Sequence, residues 1–292
     1  MVQTRIPVRV IAASSTSAAV SGSSLSGHLE LEVSRRADGL SYVSSQRFRA
    51  PLHIGKGYQD AGVLVVNPVN PTAGMLDGDE VRIDVRVRPG ARLCMAAPSA
   101  TRIFRSRSGK VAGTRQRFEI GEAATFEWFP EPLIPHAGAR HRQLTELHVA
   151  SGASVLFAEW MTPGRVAMNE VFAFEAIDWG VDLWLEGDLT MRECYCLTPT
   201  SPGLAALRCV FPEAQQLTFL VTGDFARNLP ANALDDLQSD HLWLGHGPMR
   251  NPDAAIIRAV ASDSLTARAT YQTIRSLLHE AAGFTPPTLG RL

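Results

Sequence analysis

Three times within residues 70–172 a run of alternating apolar and polar residues meets a turn of small residues and restarts as an apolar run: VRIDVRVRPGARLCM, TRQRFEIGEAATFEWF and QLTELHVASGASVLFAEW. Aligned on Gly90, Ala123 and Gly152, the copies lie 33 and 29 residues apart. In the first copy Val81, Ile83, Val85 and Val87 alternate with Arg82, Asp84, Arg86 and Arg88, the two-residue period of a strand with one buried face. The small residues at each join let the backbone turn tightly. A unit of about 30 residues that cannot cover its own apolar face points to stacked β-coils, each covering the next. On periodicity alone the competing arrangement is an antiparallel sandwich whose hairpins resemble one another.

Around these coils the chain reads as mainly β. Residues 27–33 (GHLELEV) and 40–48 alternate as strands, residues 50–54 form a third with Pro51 at its edge, and 61–66 suit a buried strand. NPVNPTAGMLDGD is a loop fixed by its own turn chemistry, the kind of segment that carries functional groups on a rigid scaffold. Residues 171–177 and 181–189 are predicted as two strands joined through Asp178, Trp179 and Gly180, and 208–211 and 217–221 close the β part. From about 225 to 283 the spacing is helical. Ile256, Ile257, Val260, Leu265, Tyr271, Ile274, Leu277 and Leu278 form a stripe, with Ser262 or Asp263 capping a second helix and Gly283 ending it. One β-helical domain over 27–292, including these helices, follows a flexible extension over 1–26 that only faintly imitates a secretory signal.

Composition narrows the partners. With 28 basic against 29 acidic residues in a chain of 292, no general electrostatic attraction to nucleic acid or to an anionic membrane is implied, which leaves open a protein–protein surface or a small, local charged site. No apolar run approaches the ~20 residues of a membrane-spanning helix. Cys94, Cys194, Cys196 and Cys209 are too few and uneven for a disulfide framework, which fits a reducing cytoplasm. No GxxxxGK[ST] phosphate loop is present, so any GTP hydrolysis belongs to another protein.

Four stretches in order, NPTAGMLDGDEVRIDV, AAPSATRIFRS, EWFPEPLIPHAGAR and GRVAMNEVF, together with GHLELEV and RAPLHI before them, resemble the serial motifs of the urease accessory protein family UreD, also called UreH. The resemblance implies a non-catalytic maturation factor with a β-helical fold. Such a factor binds the urease apoprotein and a UreF-type partner, recruits a UreG-type GTPase indirectly, and gives nickel a passage toward the urease active site. It implies no tightly bound cofactor, only transient nickel, and leaves room for a homo-oligomer. The C-terminal end is then the docking end for the UreF-type partner, with Trp243 and Tyr271 as exposed aromatics.

Several family positions are changed. The usual PPGG is NPTAG, keeping Gly74, Gly78 and Asp79; a Thr-Thr pair is Ala96 and Ala97; a Lys is Arg102 and a Tyr is Phe104. A Gln-Glu pair is Glu131 and Pro132, and a Gly-Glu pair is Asn169 and Glu170. These edits leave open a divergent adaptor serving another metalloenzyme.

The candidate site residues follow from both readings. If coils stack, Asp79, Glu127, Glu131 and Glu170, with Asp77 beside them, come to line one inner path where oxygen ligands hold a divalent ion weakly. Asp79 and Glu170 match the family motifs best. Arg102 and Arg165 are the cations able to fix a carboxylate in a two-pronged pair, and Ser99 and Thr101 offer hydroxyl oxygens. His136 and His141, with His148 in the next strand, are the imidazoles suited to nickel, though without a tight ligand pattern. Cys194 and Cys196 share a strand face; as a C-x-C pair with no second close pair they are a weak metal candidate, and are expected rather to be buried packing thiols. His241 and His246 lack the intervening Glu of a metalloprotease helix. A glycan-cleaving β-solenoid using Glu127 and Glu131 as acid and base is the catalytic alternative.

Overall fold

The computed structural model describes residues 24–289, so almost all of the extension expected over 1–26 lies outside the described residues. Each of the three repeats makes one coil from a long strand, a tight turn and a second strand. These are Glu80–Val87 with Arg92–Met95, Ala112–Ile120 with Thr125–Trp128, and Arg140–Val149 with Ser154–Met161. At the joins Gly90, Ala123 and Gly152 have φ of 68°, 51° and 65°, the left-handed conformation that glycine adopts freely and alanine only under constraint. The coils stack in parallel register: Arg82 lies opposite Arg115 and Arg115 opposite Leu144, while Cys94 lies opposite Glu127 and Glu127 opposite Leu156. The stacking is β-solenoid-like, as the repeat interval predicts.

Two sheets result. In the seven-stranded first sheet, Ser26–Arg35 and Ala176–Leu185 extend the parallel set, and Ser41–Arg49 and Asp188–Leu197 double back antiparallel at its two ends. The second sheet runs in parallel from Val63–Val66 to Ser154–Met161 and continues antiparallel through Gln215–Thr222, Ala254–Ala261 and Leu242–Pro248. Between them Val85, Phe118, Leu147 and Leu183 meet Leu93, Phe126 and Phe157. Each such side chain contributes about 1.5–3 kcal/mol by burial.

The second sheet is buried on its outer face too. The helix Ser264–Ala281 lays Ala267, Tyr271, Ile274 and Leu278 over Leu156, Ala158, Leu217 and Phe219. Asp263 caps it, its Oδ1 accepting from the amides of Leu265 and Thr266 at 2.9 Å. Gly283 follows with φ 71°. Among the described residues no helix is long and apolar enough to cross a membrane.

Three local expectations are corrected. Residues 171–189 do not break at 178–180: Ala176–Leu185 is one strand, and the turn falls at Glu186 and Gly187. Residues 208–210 belong to the helix Pro202–Val210, started by a proline in its first turn, and Phe211 is its C-cap. Within 225–283, Leu242–Pro248 and Ala254–Ala261 are strands. The β-branched AAIIRAVA run fills a central position in the sheet, and that packing overrides the helical spacing.

Candidate functional site

Alternation along the coils brings polar side chains into one level of an otherwise apolar interior. Thr114 and Gln116 on Ala112–Ile120, Gln143 and Thr145 on Arg140–Val149, and Glu159 on Ser154–Met161 are all buried. Parallel register sets Thr114 beside Gln143, Gln143 beside Trp179, and Gln116 beside Thr145. Thr145 Oγ1 donates to Gln116 Oε1 at 3.0 Å. Gln143 Nε2 donates to Glu159 Oε1 at 2.7 Å, and Trp179 Nε1 to Glu159 Oε2 at 2.7 Å. Thr114, Gln116, Gln143 and Glu159 border a cavity of about 130 Å³ walled by Trp128, Trp160 and Trp179. The exposed Ser99 and Thr101 also line it, so it opens to the surface between loops.

Glu159 has no cationic partner among the described residues; burial pushes its carboxyl up to about 8 against the pull of its Trp179 and Gln143 donors. Sequence reasoning passed over Glu159, Gln116, Gln143 and Trp179. The available signal was in SVLFAEWM, a strand buried along its whole length that carries one charged residue.

The predicted residues fall into separate places. Glu131, Ser99 and Thr101 line the cavity, and Arg268 holds Glu131 with two contacts of 2.5 Å. Asp79 is buried and spends both oxygens on backbone amides, those of Leu25 and Leu76, at 2.8 Å each. Asp77 accepts from the amides of Arg107 and Ser108. What burial it has works against the charge, yet hydrogen bonds from Ser106, Ser108 and Arg107 hold its carboxyl down at about 2. Glu170 takes a two-pronged pair from Arg165 at 2.7 and 2.5 Å and a bond from the Ala137 amide at 3.1 Å. A Cβ on Gly164, whose φ is 134°, would strike the Glu170 carbonyl oxygen, so only glycine fits this turn. Arg102 is exposed, and its carbonyl accepts from the Met75 amide at 2.8 Å.

Glu127 corrects the idea of one shared inner path. Phe126 and Trp128 face the interior, so Glu127 between them faces outward, beneath the helix. There Arg275 and His279 hold it. Burial alone would raise its carboxyl, but His279 and Arg275 bring it down to about 2. Asp79 and Glu170 are likewise outside the cavity wall, and the carboxylates named from sequence do not gather on one surface.

His136 is buried with its ring edge-on to Phe104 at 4.7 Å, its Nε2 unpartnered, and its affinity for a proton lowered by burial and by Arg165. His141 is 1% exposed and lacks a well-formed hydrogen bond at either ring nitrogen, and burial holds it down at about 4. Two expectations are reversed. Cys194 and Cys196 are exposed, because Asp188–Leu197 is an edge strand and they sit on its outer side. Tyr271 is 1% exposed and donates to the Pro130 carbonyl at 3.1 Å, so it packs the helix and offers nothing to a partner. Trp243 remains 47% exposed.

The profile of the family described as UreD urease accessory protein matches residues 25–292. The chain belongs to the UreD family. It is 35% identical over 261 residues to the urease accessory protein UreD of Opitutus terrae, covering 87% of this chain and 94% of that one. To the UreD of Dechloromonas aromatica it is 26% identical over 282 residues, covering 91% and 94%. To that of Deinococcus radiodurans it is 36% identical over 149 residues, covering 51% and 53%. UreD proteins are accessory proteins, not enzymes, by the names of family and relatives. The glycan-cleaving reading falls with that, and Glu127 and Glu131, each clamped by an arginine, are not a free acid and base.

Proposed function

We propose that this chain is a scaffold in urease maturation. It holds the urease apoprotein and a UreF-type partner, takes a UreG-type GTPase through that partner, and lets nickel pass through its interior as cargo. One observation carries the reading: in a chain matched to UreD over residues 25–292, the stacked coils leave a polar cavity inside an apolar core. Carboxylate, amide and hydroxyl oxygens hold a divalent ion loosely enough to release it. Ser99, Thr101 and Glu131 stand at the entrance, and the Arg165–Glu170 pair and Asp79 hold the loops in place. Trp243, packed beside Phe211 at 4.9 Å, is the docking aromatic.

The test is co-expression with urease subunits and UreF- and UreG-type proteins, followed by the nickel content of purified urease. Nickel-loaded urease that requires this chain, together with co-purification of the UreF-type protein, supports the scaffold. Full nickel content after deletion of this chain removes it.

A further inference from the structure

We propose that the loop over residues 102–110 is a docking surface for a carboxylate-rich patch on a protein partner, and that this partner is the apoprotein client of the scaffold. The partner's identity rests on the reading above; the chemistry of the surface does not.

The loop carries charge that the chain leaves uncompensated. Arg102, Arg105, Arg107 and Lys110 are all exposed, with no acidic residue between them. Among the described residues none of the four forms an ion pair. Arginines elsewhere on the surface are treated differently: Arg142 has Asp178, Arg192 has Asp182, and Arg227 has both Asp224 and Asp253. Four cations held together repel one another, and a negative surface from outside relieves that repulsion.

The loop is also fixed before any partner arrives. The Ser106 amide donates to the Gly138 carbonyl at 2.9 Å, the Ser106 hydroxyl to the Lys110 carbonyl at 3.0 Å, and Arg140 to the Gly109 carbonyl at 3.3 Å. Asp77, beneath the loop, accepts from the amides of Arg107 and Ser108. Gly109 at the tip has φ 80°, and a side chain there would meet nothing within 4 Å, so the tip stands in open space. A surface ordered in advance loses little conformational freedom on binding.

Those same bonds decide what the loop can take. A phosphate site is built from free backbone N–H groups, and here the amides of Ser106, Arg107 and Ser108 are already occupied. The Asp77 carboxylate behind them also disfavours a compact dianion. Side chains alone face outward, and a guanidinium fork matches a carboxylate. The chain uses that match internally in Arg165–Glu170 and Arg268–Glu131.

The aromatic docking end has the opposite charge. Asp235, Asp236 and Asp240 are exposed beside the strand that carries Trp243, and of the three only Asp235 has a partner in the ion-pair set, His246. Thr101 lies opposite Leu133, Leu133 opposite Met161, Met161 opposite Gln216, and Gln216 opposite Val260, which lies opposite Trp243. At about 4.8 Å per strand the two surfaces are roughly 24 Å apart along the sheet. An acid-faced partner is thus drawn to the loop and repelled at the aromatic end, so the two surfaces take different proteins.

The full chain is co-expressed with the UreF-type protein, and the affinity of the complex for nickel-free urease apoprotein is measured. Wild type is expected to lose about fivefold or more in affinity between about 50 and 200 mM sodium chloride. Arg105→Glu/Arg107→Glu/Lys110→Glu should weaken binding by about tenfold or more, with the melting temperature and co-purification of the UreF-type protein unchanged. Arg105→Lys/Arg107→Lys, which keeps the charges, and Asp236→Asn/Asp240→Asn, at the other end, should each retain binding. Equal affinity in wild type and the charge-reversed variant overturns the proposal and leaves the scaffold standing. Loss of the UreF-type protein along with urease overturns the choice of client. Competition by sodium phosphate beyond that of sodium chloride at equal ionic strength assigns the loop to phosphate and overturns the proposal too. Should the reversed variant fail to fold, the salt series on wild type carries the test, and affinity independent of salt overturns it. No binding of urease by wild type removes the scaffold reading and this surface with it.

Discussion

Arg275, on the last helix, closes a two-pronged ion pair on Glu127, 148 residues earlier in the chain and on the outward face of the second sheet. His279, one turn further along the helix, meets the same carboxylate at 3.2 Å, and Arg275 also donates to the Pro287 carbonyl at 3.1 Å. The pair therefore fixes where the helix lies and where the chain beyond it runs.

Glu127→Gln is expected to lower stability by about 3–5 kcal/mol, because Arg275 would keep its buried charge and lose its counter-ion. The Arg275 side chain is only 12% exposed and cannot turn to water without shifting the helix. Denaturant unfolding measures the loss, and limited proteolysis should cut first in residues 264–289. A midpoint unchanged from wild type would show that the helix is held by its apolar face alone.

Acid should release the same contact. The Glu127 carboxyl sits near 2 in the folded chain, below its ordinary value of 4.5. Its contribution is fully present above about 4.5 and is lost as the pH falls toward 2. Thermal melts from pH 6 down to 2 should therefore fall more steeply in wild type than in Glu127→Gln, and parallel curves would count against the pair.

Glu159 has the opposite sign. Its folded carboxyl titrates near 8 against 4.5 ordinarily, so the unfolded chain releases this proton first and stability declines as pH rises from about 4.5 through 8. Glu159→Gln removes the decline. The variant should gain on wild type across that window, levelling above pH 8 at roughly 5 kcal/mol. Urea unfolding at pH 5 and at pH 8.5 checks it, and a gap that does not widen with pH contradicts it.

Gly164→Ala puts a methyl group against the Glu170 carbonyl oxygen at a φ of 134°. Strain of this kind costs on the order of 3 kcal/mol, and relief requires opening the Arg165–Glu170 turn. The expected outcome is a lower melting temperature and faster amide exchange in residues 163–172. Wild-type exchange there would mean that the turn tolerates a side chain.

The coils were legible because their signal is local: the period-two runs and the small residues at 90, 123 and 152 are set by backbone geometry that neighbours do not change. The last third was harder. AAIIRAVA suits a strand or a helix on spacing, and only its place between Gln215–Thr222 and Leu242–Pro248 decides it. Among site residues, Glu131, Ser99 and Thr101 reached the cavity because their loops follow equivalent points on successive coils. Glu127 did not, since one residue along a strand separates the inner face from the outer. Glu159 was hidden by its own surroundings, a single acid in an apolar run whose meaning depends on Gln143 and Trp179 from two other strands.

At each end of the first sheet the terminal strand reverses direction. Ser41–Arg49 presents exposed Ser45, Gln46, Arg47 and Arg49, and Asp188–Leu197 presents exposed Asp188, Arg192, Cys194 and Cys196. A neighbour trying to lengthen the stack would meet a border mostly of polar tips, with Phe48 and Leu189 the large apolar side chains exposed among them, and a strand facing the wrong way, which discourages end-to-end fibres. The molecule thus has a fixed count of turns, and any channel through it a fixed length.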